Sequence, residues 1–213
     1  MKKIMSGLLV SGILLGFSVP TFAAELDSKN GKTTLEITDY TVDPETGLPS
    51  DPGAFTLLEV PNIDFGQYSL DSIPGEGRTF DGTYDQDLQV KDTRPTQASI
   101  TEALATIESV VPTEGKVTQE QIDTSKTNWT NAVAASDWEI NAQATDLTGN
   151  ATSLKIGDNE VLTSAGIVVT EAATAPVGTK SYELDSPTLT ISNNQLSVQK
   201  YEGTITYTAV NAL

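Results

Sequence analysis

Two residue types with distinctive chemistry are missing from this chain of 213 residues, which contains no cysteine and no histidine. Without cysteine there is no disulfide bond, so a hydrophobic core must stabilise the fold. Without histidine the Ser-His-Asp and Cys-His mechanisms are excluded, and so is the commonest protein ligand of zinc. Glycoside hydrolysis by two carboxylates stays open, but no pair stands out among the acidic residues. We therefore expect a protein that is not an enzyme.

Basic residues are also scarce, since 12 Lys and Arg stand against 29 Asp and Glu, a net charge of -17 at pH 7. Nucleic-acid binding needs basic residues that replace counterions, so we expect no nucleic-acid partner. Electrostatic adhesion to anionic phospholipids or anionic wall polymers is disfavoured for the same reason. A neutral glycan, a basic partner and a contact bridged by a metal ion all stay open.

The one long apolar run stands at the N-terminus. Two lysines precede an uncharged apolar stretch over 4–19, which Pro20 ends, and small residues then allow cleavage after Ala23. This order is typical of a secretory signal peptide. The run is shorter than the about 20 apolar residues of a membrane span. We predict a signal peptide over 1–23 and a secreted mature protein over 24–213 that is not inserted in a membrane.

Most of the mature chain alternates polar and apolar residues, as half-buried β-strands do. Such patterns lie over 33–38, 55–60, 63–66, 88–92, 138–142, 154–156, 167–169, 189–191, 196–198 and 203–210. A loop rich in glycine and charge is expected over 73–82. Strands at this spacing, separated by Gly, Pro and Asn turns, predict a mainly β fold: a single antiparallel β-sandwich or barrel.

A segment from about 96 to 135 interrupts this pattern with a helical period. One face of a first helix is formed by Ile100, Ala103, Leu104 and Ile107. These residues fall at i, i+3, i+4 and i+7, which is the spacing of an amphipathic helix. We therefore predict a helical hairpin inserted into the β domain.

The second helix of the predicted hairpin starts at a capping box, with Thr118 as the cap and Gln121 reaching back to it. Ile122, Trp129 and Val133 then fall on one side of this helix. We expect Trp129 to anchor the hairpin on the sheet, and a role in ligand binding is the alternative.

Two short motifs stand before the hairpin. One is Val-Pro-x-Ile-x-Phe-Gly, which ends in Phe65 and Gly66. The other is Val-x-Asp-x-Arg, which contains Asp92 and Arg94. Because Asp92 and Arg94 are two residues apart, they share one strand face. This spacing predicts a structural ion pair or a loop brace.

Two further motifs follow the hairpin: Trp138 and Ile140 form W-x-I, and Tyr207 and Ala209 form Y-x-A near the C-terminus. In this order and spacing, the four motifs resemble the WxL domain of Gram-positive surface proteins, which is named after two W-x-L motifs. Ile140, Tyr207 and Ala209 depart from that pattern. The segment 96–135 is a further departure, because in the family the Asp-x-Arg motif runs almost directly into the first tryptophan. The chain is identified as a divergent member.

The resemblance implies a secreted protein that is held non-covalently at the cell wall, on peptidoglycan or another wall glycan. It also implies membrane-anchored surface proteins as possible partners and a contribution to adhesion. The candidate ligand-binding residues are Trp138, Ile140 and Tyr207. An aromatic ring can stack on a sugar face without any positive charge. The motif residues expected to be structural are Phe65, Gly66, Asp92 and Arg94.

Each of these interpretations has an alternative. A tryptophan at alternating spacing in a strand, such as Trp138, is also typical of a core residue. Tyr207 also fits a strand-face residue with its hydroxyl at the edge. For the whole chain, the alternative function is an adhesion or structural component. It would bind another surface protein or a host matrix protein through its acidic face or its helical insert.

Closely spaced carboxylates over 81–87 raise the question of a cation. Calcium takes six to eight oxygen ligands, and such a loop can supply some of them. The segment does not match an EF-hand loop, which needs a glycine at a fixed position and a terminal glutamate. We expect a solvated acidic surface and no cofactor, with calcium as the alternative.

Overall fold

Antiparallel strands and two helices make up the computed structural model of the chain. The structure describes residues 40–69, 78–145, 147, 151–173, 178–191 and 197–212. All of them lie within one unit, Ile37–Leu213. The predicted signal peptide and the predicted strand at 33–38 lie outside the described residues.

The two helices lie between the fifth and sixth strands, where the helical insert was predicted. The elements are β1 (Phe55–Glu59), β2 (Ile63–Asp64), β3 (Arg78–Asp81), β4 (Thr83–Tyr84), β5 (Leu88–Asp92), α1 (Gln97–Ser109), α2 (Gln119–Thr130), β6 (Trp138–Ala144), β7 (Ala151–Ile156), β8 (Asn159–Glu160), β9 (Gly166–Glu171), β10 (Gly178–Tyr182), β11 (Pro187–Ile191) and β12 (Ile205–Asn211). Of these, β4, β8 and β10 are short strands that were not predicted.

Every pairing between described strands is antiparallel. The sheets have the orders β1-β5-β10, β3-β11-β7-β8, β12-β6-β9 and β2-β4. The predicted mainly β, sandwich-like fold with a helical insert is confirmed. Among the described strands no sheet closes into a barrel.

Period-two alternation places one face of each sheet in the core, and β6 is the clearest case. Its four apolar residues, from Trp138 to Ala144, are buried, whereas the residues between them are half-buried or exposed. Residues from several sheets meet in one cluster, which we call the β core. Its largest members include Leu88, Trp138, Ile140, Leu154, Ile156, Leu189 and Tyr207. Because side chains alternate across a strand, the other face of β6 is left at the surface.

The helical hairpin has a separate hydrophobic cluster, which we call the hairpin core. Its buried members are Ile100, Ala103, Ile107, Val117, Ile122 and Trp129. Thr96 caps α1 by accepting a hydrogen bond from the Ser99 backbone N–H at 3.1 Å. The capping box predicted for α2 is present, with Thr118 Oγ1 and Gln121 as partners. Local sequence signals therefore determine where both helices begin.

Three local predictions were wrong. Residues Arg78–Asp81 form β3 rather than part of a loop, since this strand pairs with β11. Val198 is in no strand and is 88% exposed, and its neighbour at 196 lies outside the described residues. Val133 lies beyond the end of α2 and is exposed, because that helix ends at Thr130.

Trp129 anchors the hairpin, but on a different element from the one expected. Its indole N–H donates to the Ser50 carbonyl at 3.0 Å, and its ring packs edge-on against Tyr40 at 5.1 Å. The segment that precedes β1, rather than the sheet, therefore covers this tryptophan. Neither helix in the described part of the chain is long and apolar enough to span a membrane.

Candidate functional site

Three of the four motifs that carry the family resemblance lie close together: Asp-x-Arg, W-x-I and Y-x-A. β6 and β12 are adjacent, so that Ile140 pairs with Ala209 and Trp138 with Asn211. The two motifs of W-x-L type, far apart in sequence, thus lie side by side on neighbouring antiparallel strands. The Asp-x-Arg motif at the end of β5 reaches the same place through Arg94.

Arg94 joins three of these segments although only 5% of its surface is exposed. Its guanidinium forms a two-point ion pair with Asp92, at 3.0 and 2.9 Å. The same group donates to Asn211 Oδ1 at 2.8 Å and to the Ser136 carbonyl at 3.0 Å. The predicted ion pair is present, and it also braces the start of β6 and the end of β12.

The electrostatics of Asp92 follow from this contact. Burial alone would raise the pKa of the Asp92 carboxyl, but hydrogen bonds from Arg94 outweigh burial, and the pKa is lowered. Arg94 also lies 5.5 Å from the centre of the Phe55 ring. A planar guanidinium suits this combination of a forked carboxylate contact and an aromatic face.

Trp138 is buried under these groups, with 3% of its surface exposed. Phe55 packs against it at 4.8 Å and Tyr182 at 5.8 Å, both edge-on. The indole ring of Trp138 is therefore covered by the Phe55 and Tyr182 rings, which leaves no open face on which a sugar could stack. Direct stacking on Trp138 does not fit this structure, and the alternative interpretation, core packing, does.

Ile140 and Tyr207 are buried as well, with 0% and 8% of their surfaces exposed. They pack into the β core, so neither offers a surface to a ligand. The Tyr207 hydroxyl is buried without a hydrogen-bond partner among the described residues. Burial, with a smaller contribution from Asp85, raises the pKa of Tyr207 to about 12.

Phe65 and Gly66 have structural positions in the loop after β2. Gly66 has a positive φ of 76°, which favours glycine, and its N–H donates to Asp64 Oδ1 at 2.8 Å. The Phe65 ring packs so closely on Gly82 that a Cβ there would lie 2.8 Å from it. These two residues shape a turn and a close contact rather than a binding surface.

A small cavity opens beside Trp138, between Asp92, Lys180 and Tyr182. Lys180 pairs with Glu171, whose Oε2 also accepts a hydrogen bond from the Tyr182 hydroxyl at 2.7 Å. The enclosed volume is about 20 Å³, and a cavity of this size holds about one water molecule. A sugar ring does not fit, so this cavity is not a glycan pocket.

The outward face of the sheet β12-β6-β9, whose residues are exposed or half-buried, is a better candidate, and sequence analysis missed it. Its central residues, which we call the polar sheet face, are Glu139, Asn141, Gln143, Thr206 and Thr208. In the register of β6 and β12, Thr206 lies opposite Gln143 and Thr208 opposite Asn141. Asn141 Nδ2 donates to Glu139 Oε1 at 3.3 Å. Amide and hydroxyl groups thus form two adjacent rows at the surface.

Two apolar side chains border the polar sheet face. Ile167 on β9 lies opposite Asn141, and Val210 on β12 lies opposite Glu139. They are 43% and 40% exposed. Glu139 is the one charged residue among these seven, in a chain with a net charge of -17. The surface is therefore nearly neutral and mixed in polarity.

The acidic segment 81–87 does not gather its carboxylates around one point. Asp85 accepts hydrogen bonds from the backbone N–H and side-chain amide of Asn62, at 2.8 and 2.7 Å. Its carboxylate therefore holds the loop before β2. Within the described residues, no group of three or more acidic side chains is arranged to bind a metal ion.

Comparison of the chain with known protein families, with curated proteins and with solved structures finds no match.

Proposed function

We propose that this chain is a secreted, non-catalytic domain of the WxL type that associates non-covalently with a cell-wall glycan through the polar sheet face. The observation that carries the proposal is the adjacency of β6 and β12. These strands hold both motifs of W-x-L type, and their outward residues together form that face. The motif residues would then act indirectly, by holding the two strands on the core.

The chemistry of the face suits a neutral glycan. Asn141 and Gln143 offer amide donors and acceptors, and Thr206 and Thr208 offer hydroxyl groups that can do both. Sugar hydroxyl and N-acetyl groups need such partners. Ile167 and Val210 can contact the C–H surfaces of a sugar ring. Since no cation is needed, an acidic chain can bind in this way.

Sedimentation with purified Gram-positive cell-wall sacculi tests the proposal. The protein would be residues 24–213, and binding would be compared at low salt and at high salt. We expect co-sedimentation that resists salt, because hydrogen bonds and apolar contacts with a neutral glycan are not screened as charge pairs are. Loss of binding at high salt, or no binding, would contradict the proposal and favour a protein partner.

A double variant with a matched control locates the surface. Thr206→Ala with Thr208→Ala removes two hydroxyls of the polar sheet face while leaving its backbone intact. Thr56→Ala with Thr179→Ala makes the same change at exposed positions of the sheet β1-β5-β10. We expect the first pair to weaken binding to the sacculi about thirtyfold, as loss of two hydrogen bonds of about 1 kcal/mol each would. The control pair should bind as the unaltered protein does; equal binding by both pairs would contradict the assignment.

A further inference from the structure

The two apolar residues that border the polar sheet face lie on different strands and at different levels of the sheet. Val210 on β12 pairs with Glu139 on β6, whereas Ile167 on β9 pairs with Asn141, two residues further along β6. Both apolar side chains are exposed. Val210 and Ile167 are therefore separated by two strand spacings across the sheet and by two residues along it, which amounts to about 12 Å.

Glu139 and Asn141 lie midway between these two apolar residues. Both are on the outward face of β6, and the Asn141 side-chain amide donates to Glu139 Oε1 at 3.3 Å. Among the described residues, no other hydrogen bond engages these two side chains. Glu139 Oε2 and Asn141 Oδ1 can therefore accept hydrogen bonds from a ligand. A line across the sheet from Val210 to Ile167 thus meets an apolar, a polar and an apolar group in turn.

This order matches the surface of an extended glycan chain. A pyranose ring has apolar C–H faces and a rim of hydroxyl groups, which donate hydrogen bonds to carboxylate and amide oxygens. Each ring advances the chain by close to one strand spacing. The distance from Val210 to Ile167 therefore corresponds to two sugar units. Rings that contact these two residues then have one ring between them, above Glu139 and Asn141.

We propose that the polar sheet face recognises a run of about three or more consecutive sugar rings, which crosses the strands from Val210 to Ile167. Glu139 and Asn141 hold the middle of this run. The inference rests on the proposed function and names its ligand class, which is the interior of a glycan chain rather than a single sugar or a disaccharide. Thr208 lies to one side of the line, where substituents of the rings project.

A glycan chain that ran along one strand would meet fewer suitable groups. The outward residues of β6 are all polar. On the outward side of β12, Val210 is preceded by Thr206 and Thr208, and on β9 the exposed neighbour of Ile167 is Thr170. A path along a single strand therefore contacts one of the two exposed apolar residues at most. A path across the described sheet joins both of them through polar groups.

Titration calorimetry of residues 24–213 with a disaccharide and a tetrasaccharide fragment of peptidoglycan tests this proposal. We expect the tetrasaccharide to bind at least about tenfold more tightly, because only the longer chain contacts Val210 and Ile167 together. Val210→Ser and Ile167→Ser should each weaken tetrasaccharide binding about tenfold. Each should change disaccharide binding by at most about twofold, since a disaccharide can bind at the end that is left. The dependence on chain length should therefore disappear in either variant.

Leu58→Ser is the matched control, because Leu58 is an exposed apolar residue of β1, in a different sheet. It should leave both affinities unchanged, and tryptophan fluorescence checks that each variant is folded. Equal affinity for the two fragments would overturn this inference while glycan binding stands. So would a loss of tetrasaccharide affinity in Leu58→Ser as large as in the other two variants. Binding of neither fragment would overturn the proposed function together with this inference.

Discussion

The β core and the hairpin core stabilise the same chain in different ways. The β core joins strands that are distant in sequence, and its tryptophan, Trp138, packs among aromatic rings from β1 and β10. The hairpin core is largely local, and its tryptophan, Trp129, is covered by the segment before β1. The β core forms only when distant strands pair, whereas most contacts of the hairpin core are between residues close in sequence. We infer that they differ in cooperativity as well as in predictability.

The hairpin is joined to the strands on either side of it by hydrogen bonds at its base. Ala135 donates its backbone N–H to the Pro95 carbonyl at 2.8 Å, which closes the base of the hairpin. Beside it, Arg94 links Asp92, Ser136 and Asn211. An insertion of about 40 residues is thus accommodated by a few hydrogen bonds and one buried ion pair.

The largest expected effects come from the tryptophans. Trp129→Ala and Trp138→Ala should each lower the free energy of unfolding by about 3–5 kcal/mol, because each leaves a cavity in its core. The chain has two tryptophans, so each variant leaves one fluorescent reporter in the other core. In Trp129→Ala, we expect helical circular dichroism to be lost at lower denaturant than Trp138 fluorescence.

Trp129→Phe is the control for this comparison. In this variant the loss of helical circular dichroism and the change in Trp138 fluorescence should lie closer together in denaturant concentration. Coincident transitions in Trp129→Ala would contradict the comparison, since they would show that both cores unfold as one unit.

Arg94→Met should be the next largest change, lowering the free energy of unfolding by about 3 kcal/mol. It leaves the Asp92 carboxylate without its partner in a partly buried place. Chemical denaturation followed by fluorescence measures this loss. Lys126→Met is the control. The ion pair of Lys126 with Glu108 is exposed, so its loss should lower the free energy of unfolding by less than about 1 kcal/mol. Similar losses in the two variants would contradict the bracing role of Arg94.

Thr118→Ala removes the cap of α2 and should cost about 1 kcal/mol. The loss should appear in the helical circular dichroism signal and leave Trp138 fluorescence unchanged, which would sharpen the distinction between the cores. Thr127→Ala within the same helix is the control, because its hydroxyl bonds only to a helical carbonyl and contributes little. A cap variant as stable as this control would show that the capping box is not needed.

Tyr207→Phe should raise the free energy of unfolding by about 1 kcal/mol, because it removes a buried hydroxyl that lacks a partner. Tyr84→Phe is the matched control in the same core. The Tyr84 hydroxyl donates to the Asp185 carbonyl at 2.9 Å, so its removal should destabilise by a similar amount. Thermal unfolding at pH 7 compares the two variants. A change of stability in the same direction in both would contradict the assignment of the Tyr207 hydroxyl as a buried group without a partner.

The same tyrosine gives a pH dependence with a defined sign. The pKa of Tyr207 is about 12 in the folded chain and about 10 when unfolded. Between these values the unfolded state binds fewer protons, so stability falls as pH rises from 10 to 12. Tyr207→Phe should make this decline less steep, as denaturation across that range would measure.

The smallest expected effect is on the free energy of unfolding at acid pH. The pKa of Asp92 is lowered in the folded state, so its contribution is present above its unfolded pKa of about 4. That contribution is lost as pH falls through the lower folded value. Asp92→Asn should therefore weaken the acid dependence of unfolding below pH about 4. An unchanged acid profile would contradict the role of Arg94 as the partner that holds Asp92 charged.

The hairpin was predictable because its signals are contiguous. The spacing from Ile100 to Ile107 and the capping box at Thr118 need no other part of the chain. The partner of Trp129 was not predictable, because Ser50 lies far along the sequence. β3 was missed for a related reason. Arg78 and Asp81 give it the composition of a loop, and pairing with β11 makes it a strand.

The candidate site divides in the same way. The ion pair between Asp92 and Arg94 could be predicted from the motifs, because these residues are two apart. The contact from Arg94 to Asn211 could not, because the two residues are separated by 117 positions in the sequence. The polar sheet face escaped notice because threonine and asparagine are ordinary residues on the outer side of a strand. Only the register between β6 and β12 makes them one surface.

Nuclear magnetic resonance with soluble peptidoglycan fragments tests the central claim most directly. Backbone and side-chain amide shifts of residues 24–213 would be followed during titration with these fragments. We predict changes concentrated at Asn141, Gln143, Thr206 and Thr208, which salt leaves largely unaltered. Changes confined to the hairpin or to the cavity beside Trp138, or no changes at all, would contradict glycan binding by the polar sheet face.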